Sequence, residues 1–146
     1  MIALLQRVRH AKVEVSGRCT GEIGPGLLML VCAEPSDGQT QADRLIAKVL
    51  KLRIFNDENG KMNRSLQDVR GSLLIVSQFT LAADVSCGNR PSFTGAASAA
   101  QGRELYDYCV SLAQSQHPQV ASGEFGADMQ VSLLNDGPVT IPLRIL

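Results

Sequence analysis

The residues of this chain that could perform chemistry are concentrated in two short polar stretches, and the first of them ends an apolar run. Residues 73–76 are Leu-Leu-Ile-Val, and a cluster of hydroxyl and amide groups follows them directly. The residues of that cluster are Ser77, Gln78, Phe79 and Thr80. Backbone N–H groups at the rim of a sheet can stabilise the negative charge that develops on a carbonyl oxygen during acyl transfer. This cluster is therefore a candidate catalytic segment.

Two hydroxyl groups in this cluster, those of Ser77 and Thr80, are candidate nucleophiles. A nucleophilic hydroxyl needs a neighbouring base. The only two histidines, His10 and His117, lie far from the cluster in sequence. A Ser–His–Asp triad therefore requires the fold to bring these groups together. The purely structural alternative is a strand end whose hydroxyl groups cap the backbone.

The second polar stretch lies near the C-terminus and is centred on Gly137-Pro138. Residues 135–142 are Asn-Asp-Gly-Pro-Val-Thr-Ile-Pro, between two apolar runs. A Gly-Pro step in this position predicts a turn. The cis form of an X-Pro bond costs only about 0.5–1 kcal/mol, so a fold can select it. A plain turn is one interpretation, and a rigid pair of outward-facing carbonyl acceptors is the other.

Regular elements on either side must position these two stretches. Two capping-box patterns, Ser36-x-x-Gln39 and Ser98-x-x-Gln101, precede apolar positions at helical spacing. They predict a helix over residues 37–52 and a second helix that ends at His117-Pro118. Alternation of apolar and polar residues predicts a strand over residues 7–15. Further strands are predicted over residues 27–33, 72–81, 127–134 and 139–145, with an irregular loop over 84–95 and an edge position for Pro142. This order predicts an α+β domain with helices on one side of stacked sheets.

The composition is that of one ordinary globular domain. The chain has 146 residues, of which 45% are hydrophobic and 19% are charged. No apolar run is long enough to span a bilayer, and the start lacks the order of a signal peptide, so we expect a cytoplasmic protein. The cysteines are widely spaced without a C-x-x-C pair, which favours free thiols over a metal site: Cys19, Cys32, Cys87 and Cys109. We expect neither a metal nor an organic cofactor.

The formal net charge is zero, which argues against broad nonspecific binding of nucleic acid. The charges are nevertheless uneven, since residues 1–64 hold ten Lys or Arg and residues 65–146 hold four. One local group of cations comprises Arg44, Lys48, Lys51 and Arg53. Solvated surface positions explain each of these charges singly. A modest patch that contacts a few phosphates is the alternative, and its binding would weaken with salt.

Taken together, the two polar stretches resemble the signature motifs of the D-aminoacyl-tRNA deacylase family. Other segments that carry the resemblance are Met1–Val8, Gly21–Leu28, Arg53–Phe55, Gly60–Asn63, Arg90–Phe93 and Ala127–Leu133. The resemblance covers essentially the full length, and it implies a single domain over residues 1–146 with a three-layer β/β/α fold that forms a homodimer. It implies hydrolysis of the ester bond of D-aminoacyl-tRNA, with glycyl-tRNA(Ala) as a second substrate. The expected partner is the tRNA acceptor end, without membrane or DNA.

The same resemblance implies roles for the catalytic segment. Ser77, Gln78, Phe79 and Thr80 would line the site and supply backbone donors to the oxyanion. The 2′-OH of the terminal ribose would assist, by positioning or deprotonating a water. Thr80 remains a second candidate, as a nucleophile. Phe79 and Met129 would frame the terminal adenine, because single-stranded RNA ends are commonly held by stacking.

The resemblance implies that the second stretch selects chirality. Gly137-Pro138 would be a cis dipeptide that reaches into the site of the partner subunit and clashes with an L side chain. A D side chain, or the hydrogen of glycine, would be tolerated, which is specificity by exclusion. Arg7 would lock the dipeptide, and the adjoining Val139 and Thr140 belong to the same selecting segment. The alternative for Arg7 is a surface charge on a strand.

Two other functions stay open from the residues alone. A small esterase would pair the thiol of Cys87 or the hydroxyl of Ser77 with His10 or His117. A non-catalytic dimer would bind the RNA end without turnover. The loop over residues 84–95, with Arg90-Pro91-Ser92-Phe93, is expected to shape the rim of the site in any of these cases.

Overall fold

The structure, a computed structural model, describes all 146 residues. The strands are β1 (Ile2–Val15), β2 (Arg18–Ile23), β3 (Gly26–Cys32), β4 (Phe55–Asn56), β5 (Met62–Arg64), β6 (Ser72–Ser77), β7 (Val120–Ser122) and β8 (Gln130–Arg144). The helices are α1 (Gln39–Lys51), α2 (Leu66–Val69) and α3 (Ala99–Gln116), and a short 3-10 helix spans Phe79–Ala82.

Six of the strands form one mixed sheet that curls on itself. The long strand β1 is antiparallel to β2, β3 and β8, whereas β6 is parallel to both β3 and β7. The curl brings β2 against β7, where a Cβ added at Gly21 would lie 2.5 Å from the carbonyl oxygen of Ser122. Only glycine permits so close an approach of two backbones. The sheet is therefore nearly closed into a barrel.

Two apolar cores lie on opposite faces of this sheet, and β6 contributes to both. Leu73 and Ile75 belong to the core beneath the helices, together with Leu45 of α1. Leu74 and Val76 point the other way, into the interior of the curled sheet. Burial on both faces explains why the run over residues 73–76 is continuously apolar. The layers are thus sheet, sheet and helices, which confirms the predicted α+β fold.

The two predicted helices are present, although their starts differ from the capping-box patterns. α1 begins at Gln39, because its N-cap residue is Gly38, whose N–H donates to Oε1 of Gln41 at 2.8 Å. The predicted cap at Ser36 is therefore wrong. At α3 the cap is as predicted, since Oγ of Ser98 accepts from the N–H of Gln101 at 3.3 Å. The helix ends immediately before His117.

The strand predicted over residues 72–81 ends earlier, at Ser77. Its parallel partner β3 ends at Cys32, and the last paired residues of the two strands are Val31 and Ser77. Without a partner to continue the ladder, residues Phe79–Ala82 turn into the 3-10 helix, in which the N–H of Ala83 donates to the carbonyl of Thr80 at 3.1 Å. The polar cluster therefore straddles the end of a strand and the start of a tight turn.

The two strands predicted over residues 127–134 and 139–145 are one strand, β8, with a bulge inside it. Gln6 of β1 lies opposite Thr140, but Val8 lies opposite Asn135, so four residues of β8 face the single residue between them. The Gly137-Pro138 turn is that bulge. β8 pairs only with β1, which places Pro142 on an edge strand of this chain.

Candidate functional site

A cavity of about 590 Å3 opens where β3 and β6 end beneath the start of α3. Its lining is mainly apolar, with 15 hydrophobic residues among 21. The strand ends contribute Val31, Cys32, Val76, Ser77 and Gln78, and the facing wall contributes Phe125, Ala127, Asp128, Met129 and Val131. A preformed apolar cavity with few polar groups is the usual form of a small-ligand site.

The predicted catalytic segment forms one wall of this cavity. Ser77, Gln78 and Phe79 line it, whereas Thr80 is exposed and lies outside the lining. The N–H of Gln78 donates to the carbonyl of Val31 at 2.8 Å, so it continues the strand ladder. The first N–H groups of a 3-10 helix have no partner within the helix. The backbone donors that this segment can offer are therefore those of Phe79 and Thr80.

Side chains within the segment also hold one another. Nε2 of Gln78 donates to Oγ1 of Thr80 at 2.5 Å. Sγ of Cys32 lies 3.3 Å from the carbonyl oxygen of Ala33 and 3.5 Å from that of Phe79, so these two acceptors share its single S–H proton. The thiol thus ties the start of the 3-10 helix to the end of β3. Burial raises the pKa of the Cys32 thiol, which keeps it neutral.

The structure does not bring a base to the two hydroxyls. His117 is buried, and its Nε2 lies 2.6 Å from the carbonyl oxygen of Gly71. Gly71 precedes β6, whereas Ser77 ends it, so this histidine sits at the opposite end of the strand. His10 is exposed on β1, and neither histidine lines the cavity. Cys87 is also outside the lining, in the loop over residues 84–95.

An aromatic pair stands at the mouth of the cavity. Phe79 is 56% exposed, and its ring meets the ring of Phe93 edge to face, with centroids 5.2 Å apart at 74°. The loop that carries Phe93 is closed by two backbone hydrogen bonds between Asp84 and Ser92, at 2.8 and 3.0 Å. The sequence predicted that this loop shapes the rim. Met129 lies in the lining of the same cavity, so a planar ring could be held between these apolar groups.

The inner end of the cavity contains residues that sequence reasoning missed. Tyr106 of α3 donates its hydroxyl proton to the carbonyl of Ile75 at 2.9 Å, and burial raises the pKa of this phenol to about 12. Its ring packs on that of Phe125, which also lies 4.8 Å beneath the guanidinium of Arg103. The neutral Tyr106 secures α3 to β6 and thereby shapes the floor. Its only signal in the sequence is a position on the apolar face of a helix.

The Gly137-Pro138 bulge forms a second cluster, held by the buried Arg7. Nε of Arg7 donates to the carbonyl of Asp136 at 3.2 Å, and one terminal nitrogen donates to the carbonyl of Ile54 at 2.8 Å. Arg7 is only 6% exposed, whereas Gly137 and Pro138 are both exposed. The peptide bond between them is cis. A surface position for Arg7 is therefore wrong.

Asn135 closes the base of this bulge, a role that was not assigned from the sequence. Its side-chain amide donates to the carbonyl of Arg7 at 2.9 Å and to the carbonyl of Val139 at 3.0 Å. One amide thus joins β1 to both ends of the bulge. At Gly137 the backbone has φ +127°, and an added Cβ would lie 2.8 Å from a methyl group of Val139 and 3.0 Å from the guanidinium of Arg7. Any side chain at this position would therefore be strained by the positive φ and crowded by Val139 and Arg7.

The two clusters do not share a cavity within one chain. Ser77, Gln78, Phe79 and Met129 come together in the lining, and the other predicted residues lie outside it: Arg7, Thr80, Gly137, Pro138, Val139 and Thr140. Nowhere do three or more His, Cys, Asp or Glu side chains converge as metal ligands would. Neither long helix combines the length and apolar composition that a membrane crossing requires.

The fold and the cavity define a small α+β protein whose candidate site is mainly apolar and offers backbone donors at the end of a strand. A family model described as D-Tyr-tRNA(Tyr) deacylase matches residues 4–144. A D-aminoacyl-tRNA deacylase of Acidovorax ebreus (strain TPSY) is 67% identical over 150 residues, covering 99% of this chain and 98% of that protein. The corresponding protein of Methylibium petroleiphilum is 68% identical over 145 residues, covering 99% and 95%.

Solved structures agree with these relatives. A protein titled c-Myc DNA Unwinding Element Binding Protein superimposes with a TM-score of 0.93 at 38% identity, covering 99% of this chain and 98% of that chain. A probable eukaryotic D-amino acid tRNA deacylase shares the fold with a TM-score of 0.87 at 16% identity, covering 97% of each. The chain therefore belongs to the D-aminoacyl-tRNA deacylase family, which are hydrolases, and the resemblance drawn from the two polar stretches is confirmed.

Proposed function

We propose that this protein hydrolyses the ester bond of D-aminoacyl-tRNA in the cytoplasm, and so removes wrongly charged amino acids before translation. The observation that carries the proposal is the cavity wall formed by the catalytic segment, in a chain that belongs to the deacylase family over residues 4–144. Glycyl-tRNA(Ala) is a second substrate in this proposal, because glycine has no side chain that a test for L chirality could reject.

The terminal adenine of the tRNA would occupy the mouth of the cavity. Phe79 and Met129 both line that space, and Phe79 is exposed enough to stack on a base. Adenine in this position places the terminal ribose, with its 2′- and 3′-oxygens, beside the strand end at Ser77. The ester carbonyl then faces the N–H groups that begin the 3-10 helix.

Catalysis would depend on positioning and on the substrate rather than on a protein base. The absence of a histidine beside Ser77 or Thr80 disfavours a covalent serine or threonine mechanism. Water would attack the ester carbon while the tRNA 2′-OH positions it, or takes its proton and passes one to the departing 3′-oxygen, so that the ester C–O bond breaks and leaves the free amino acid and the tRNA 3′-OH. The N–H groups of Phe79 and Thr80 would stabilise the oxyanion, an interaction whose loss costs about 10²–10³ in rate where it has been measured.

Chiral selection would come from the Gly137-Pro138 bulge of a partner subunit. Within one chain this bulge lies outside the cavity, so a site that contains both requires a second copy. β8 offers an edge for that contact, since its outer side is unpaired and Leu134 on this strand is an exposed apolar side chain. The buried Arg7 would hold the bulge rigid, so that an L side chain meets fixed backbone.

The decisive experiment is deacylation of matched D-Tyr-tRNA and L-Tyr-tRNA by the purified protein with a chelator present. We expect rapid loss of the D ester alone. Loss of both esters would show an esterase without a chiral filter. Retention of both esters, with the tRNA bound, would show a non-catalytic RNA-end binder. Activity abolished by the chelator would contradict the metal-independent mechanism.

A further inference from the structure

A basic groove of about 540 Å3 lies along the C-terminal half of α1, separate from the catalytic cavity. Its six lining residues are Arg44, Ala47, Lys48, Lys51, Leu52 and Arg53. Four of these six are cations and none is acidic. The whole chain has 14 cations and 14 anions, so this groove concentrates positive charge on a molecule that is otherwise balanced.

Three of the four cations form no ion pair. Lys48, Lys51 and Arg53 are exposed and take part in no ion pair, in contrast to Arg18 with Glu124 and Arg64 with Glu58. Arg44 differs, because its guanidinium donates to the carbonyl of Leu146 at 2.5 Å. Three unpaired charges that line one concave surface are therefore available to an anionic ligand.

Two carboxylates on α1 and α2 already accept hydrogen bonds. Asp43 on α1 accepts a hydrogen bond from the hydroxyl of Tyr108 at 2.7 Å. Asp68 of α2 accepts from the N–H of Ser65 at 2.8 Å, and the hydrogen bonds from Ser65 lower its pKa, with smaller contributions from the charges of Arg64 and Arg53. The dipole of α1 favours cations in its last turn, which explains part of the pattern. It does not explain Arg53, which lies beyond the end of the helix.

The groove and the cavity lie at opposite ends of the same helix. Asp37, just before α1, accepts a hydrogen bond from the ammonium group of Met1 at 2.8 Å, and Met1 lines the cavity. α1 then runs from Gln39 to Lys51, a rise of about 18 Å at 1.5 Å per residue. A tRNA with its terminal adenosine in the cavity could reach this distance with the few nucleotides that precede it.

We propose that this groove binds backbone phosphates of the tRNA acceptor arm, with Lys48, Lys51 and Arg53 as the contacting residues. The inference rests on the proposed function, since it takes a tRNA end as the occupant of the cavity. Phosphate is the partner that fits a groove with several cations and no acid or aromatic ring. Such contacts position the RNA and carry no sequence information.

The test compares two triple variants with the same loss of charge. In the groove variant, Lys48→Gln, Lys51→Gln and Arg53→Gln remove the proposed contacts. In the matched control, Lys12→Gln, Lys61→Gln and Arg18→Gln remove two lysines and one arginine that line neither the groove nor the cavity. Each protein is assayed on a D-aminoacyl-tRNA and on the same D-amino acid esterified to adenosine alone.

The groove variant should raise KM for the tRNA by roughly tenfold to a hundredfold at 0.15 M salt, with kcat unchanged. The reason is that each phosphate contact adds nearly one unit to the slope of log affinity against log salt concentration. The slope itself should fall by about 2–3. Turnover of the adenosine ester should be the same in all three proteins. Equal KM values for the groove variant and the control would show that the groove does not bind the tRNA phosphates. Failure of the unaltered protein on both substrates would instead refute the proposed function.

Discussion

At the scale of single residues, the chemistry of this protein depends on which groups are close to the cavity and in which protonation state. Ser77 and Phe79 line the cavity, and Cys32, which was assigned no role, forms part of the same wall. Its thiol is buried, and burial raises its pKa, so the thiolate fraction at neutral pH is smaller than that of an ordinary cysteine. The structure therefore disfavours thiol catalysis at the one cysteine that lies in the site.

This difference among the cysteines predicts the result of alkylation. Iodoacetamide at pH 7.5 should modify the exposed Cys19 and Cys87 and spare the buried Cys32 and Cys109. Burial raises the pKa of the Cys109 thiol to about 12. Deacylation should be unchanged, since neither exposed thiol lines the cavity. Peptide mass mapping checks the sites, and the D-Tyr-tRNA assay checks activity. Inactivation that parallels labelling of Cys87 would instead support the thiol esterase.

At the scale of the elements, the selecting segment is produced by the pairing of β1 with β8. The sequence predicted a strand over residues 7–15 and two separate strands over 127–134 and 139–145. The register shift between Gln6 and Val8 could not be anticipated, because it depends on side chains from opposite ends of the chain. The amide of Asn135 bridges the two strands at that shift. The bulge is therefore a property of the strand pair and not of the Gly-Pro dipeptide alone.

Replacing Asn135 should separate chiral selection from catalysis. Asn135→Asp removes both N–H donors and places a carboxylate against the carbonyls of Arg7 and Val139, so the bulge should lose its fixed position. We expect the free energy of unfolding to fall by about 1–3 kcal/mol. The ratio of D to L deacylation rates should fall at least tenfold, with the D rate reduced far less.

The matched control for this prediction is Ser132→Asp, which adds the same charge to an exposed position of β8. The control should keep the selectivity of the unaltered protein. Equal loss of selectivity in both variants would show that added charge on the strand, rather than the bridging amide, is responsible. An unchanged ratio in Asn135→Asp with normal folding would contradict the positioning role.

At the scale of the whole molecule, the proposed site is divided between two copies of the chain. The cavity and the Gly137-Pro138 bulge are each complete within one chain, yet they do not meet there. The free edge of β8, with the exposed side chain of Leu134 on the same strand, is the surface that a second copy would cover. Two-fold symmetry would then give each cavity the bulge of the other subunit.

Mixed dimers test this division directly. Gly137→Ala should weaken L rejection, because an added Cβ meets Val139 and Arg7, and Phe79→Ala should weaken binding of the substrate end. In a heterodimer of the two variants, one site combines the intact cavity with the intact bulge. We expect this species, isolated through two affinity tags, to regain rejection of L-Tyr-tRNA relative to the Gly137→Ala homodimer. Unrestored rejection would place the filter within one chain.

The sequence by itself determined the family, the α+β order of elements and the two polar stretches, because these depend on local periodicity, turn residues and motif spacing. Tertiary structure decided which of those residues meet. Strand pairing ended β6 at Ser77 and directed Gln78 into the ladder, and packing buried Arg7 under the bulge. Tyr106, Cys32 and Asn135 acquired their roles only from contacts across 31, 47 and 128 residues of sequence. Such contacts arise from the folding of the whole sheet, and no local pattern encodes them.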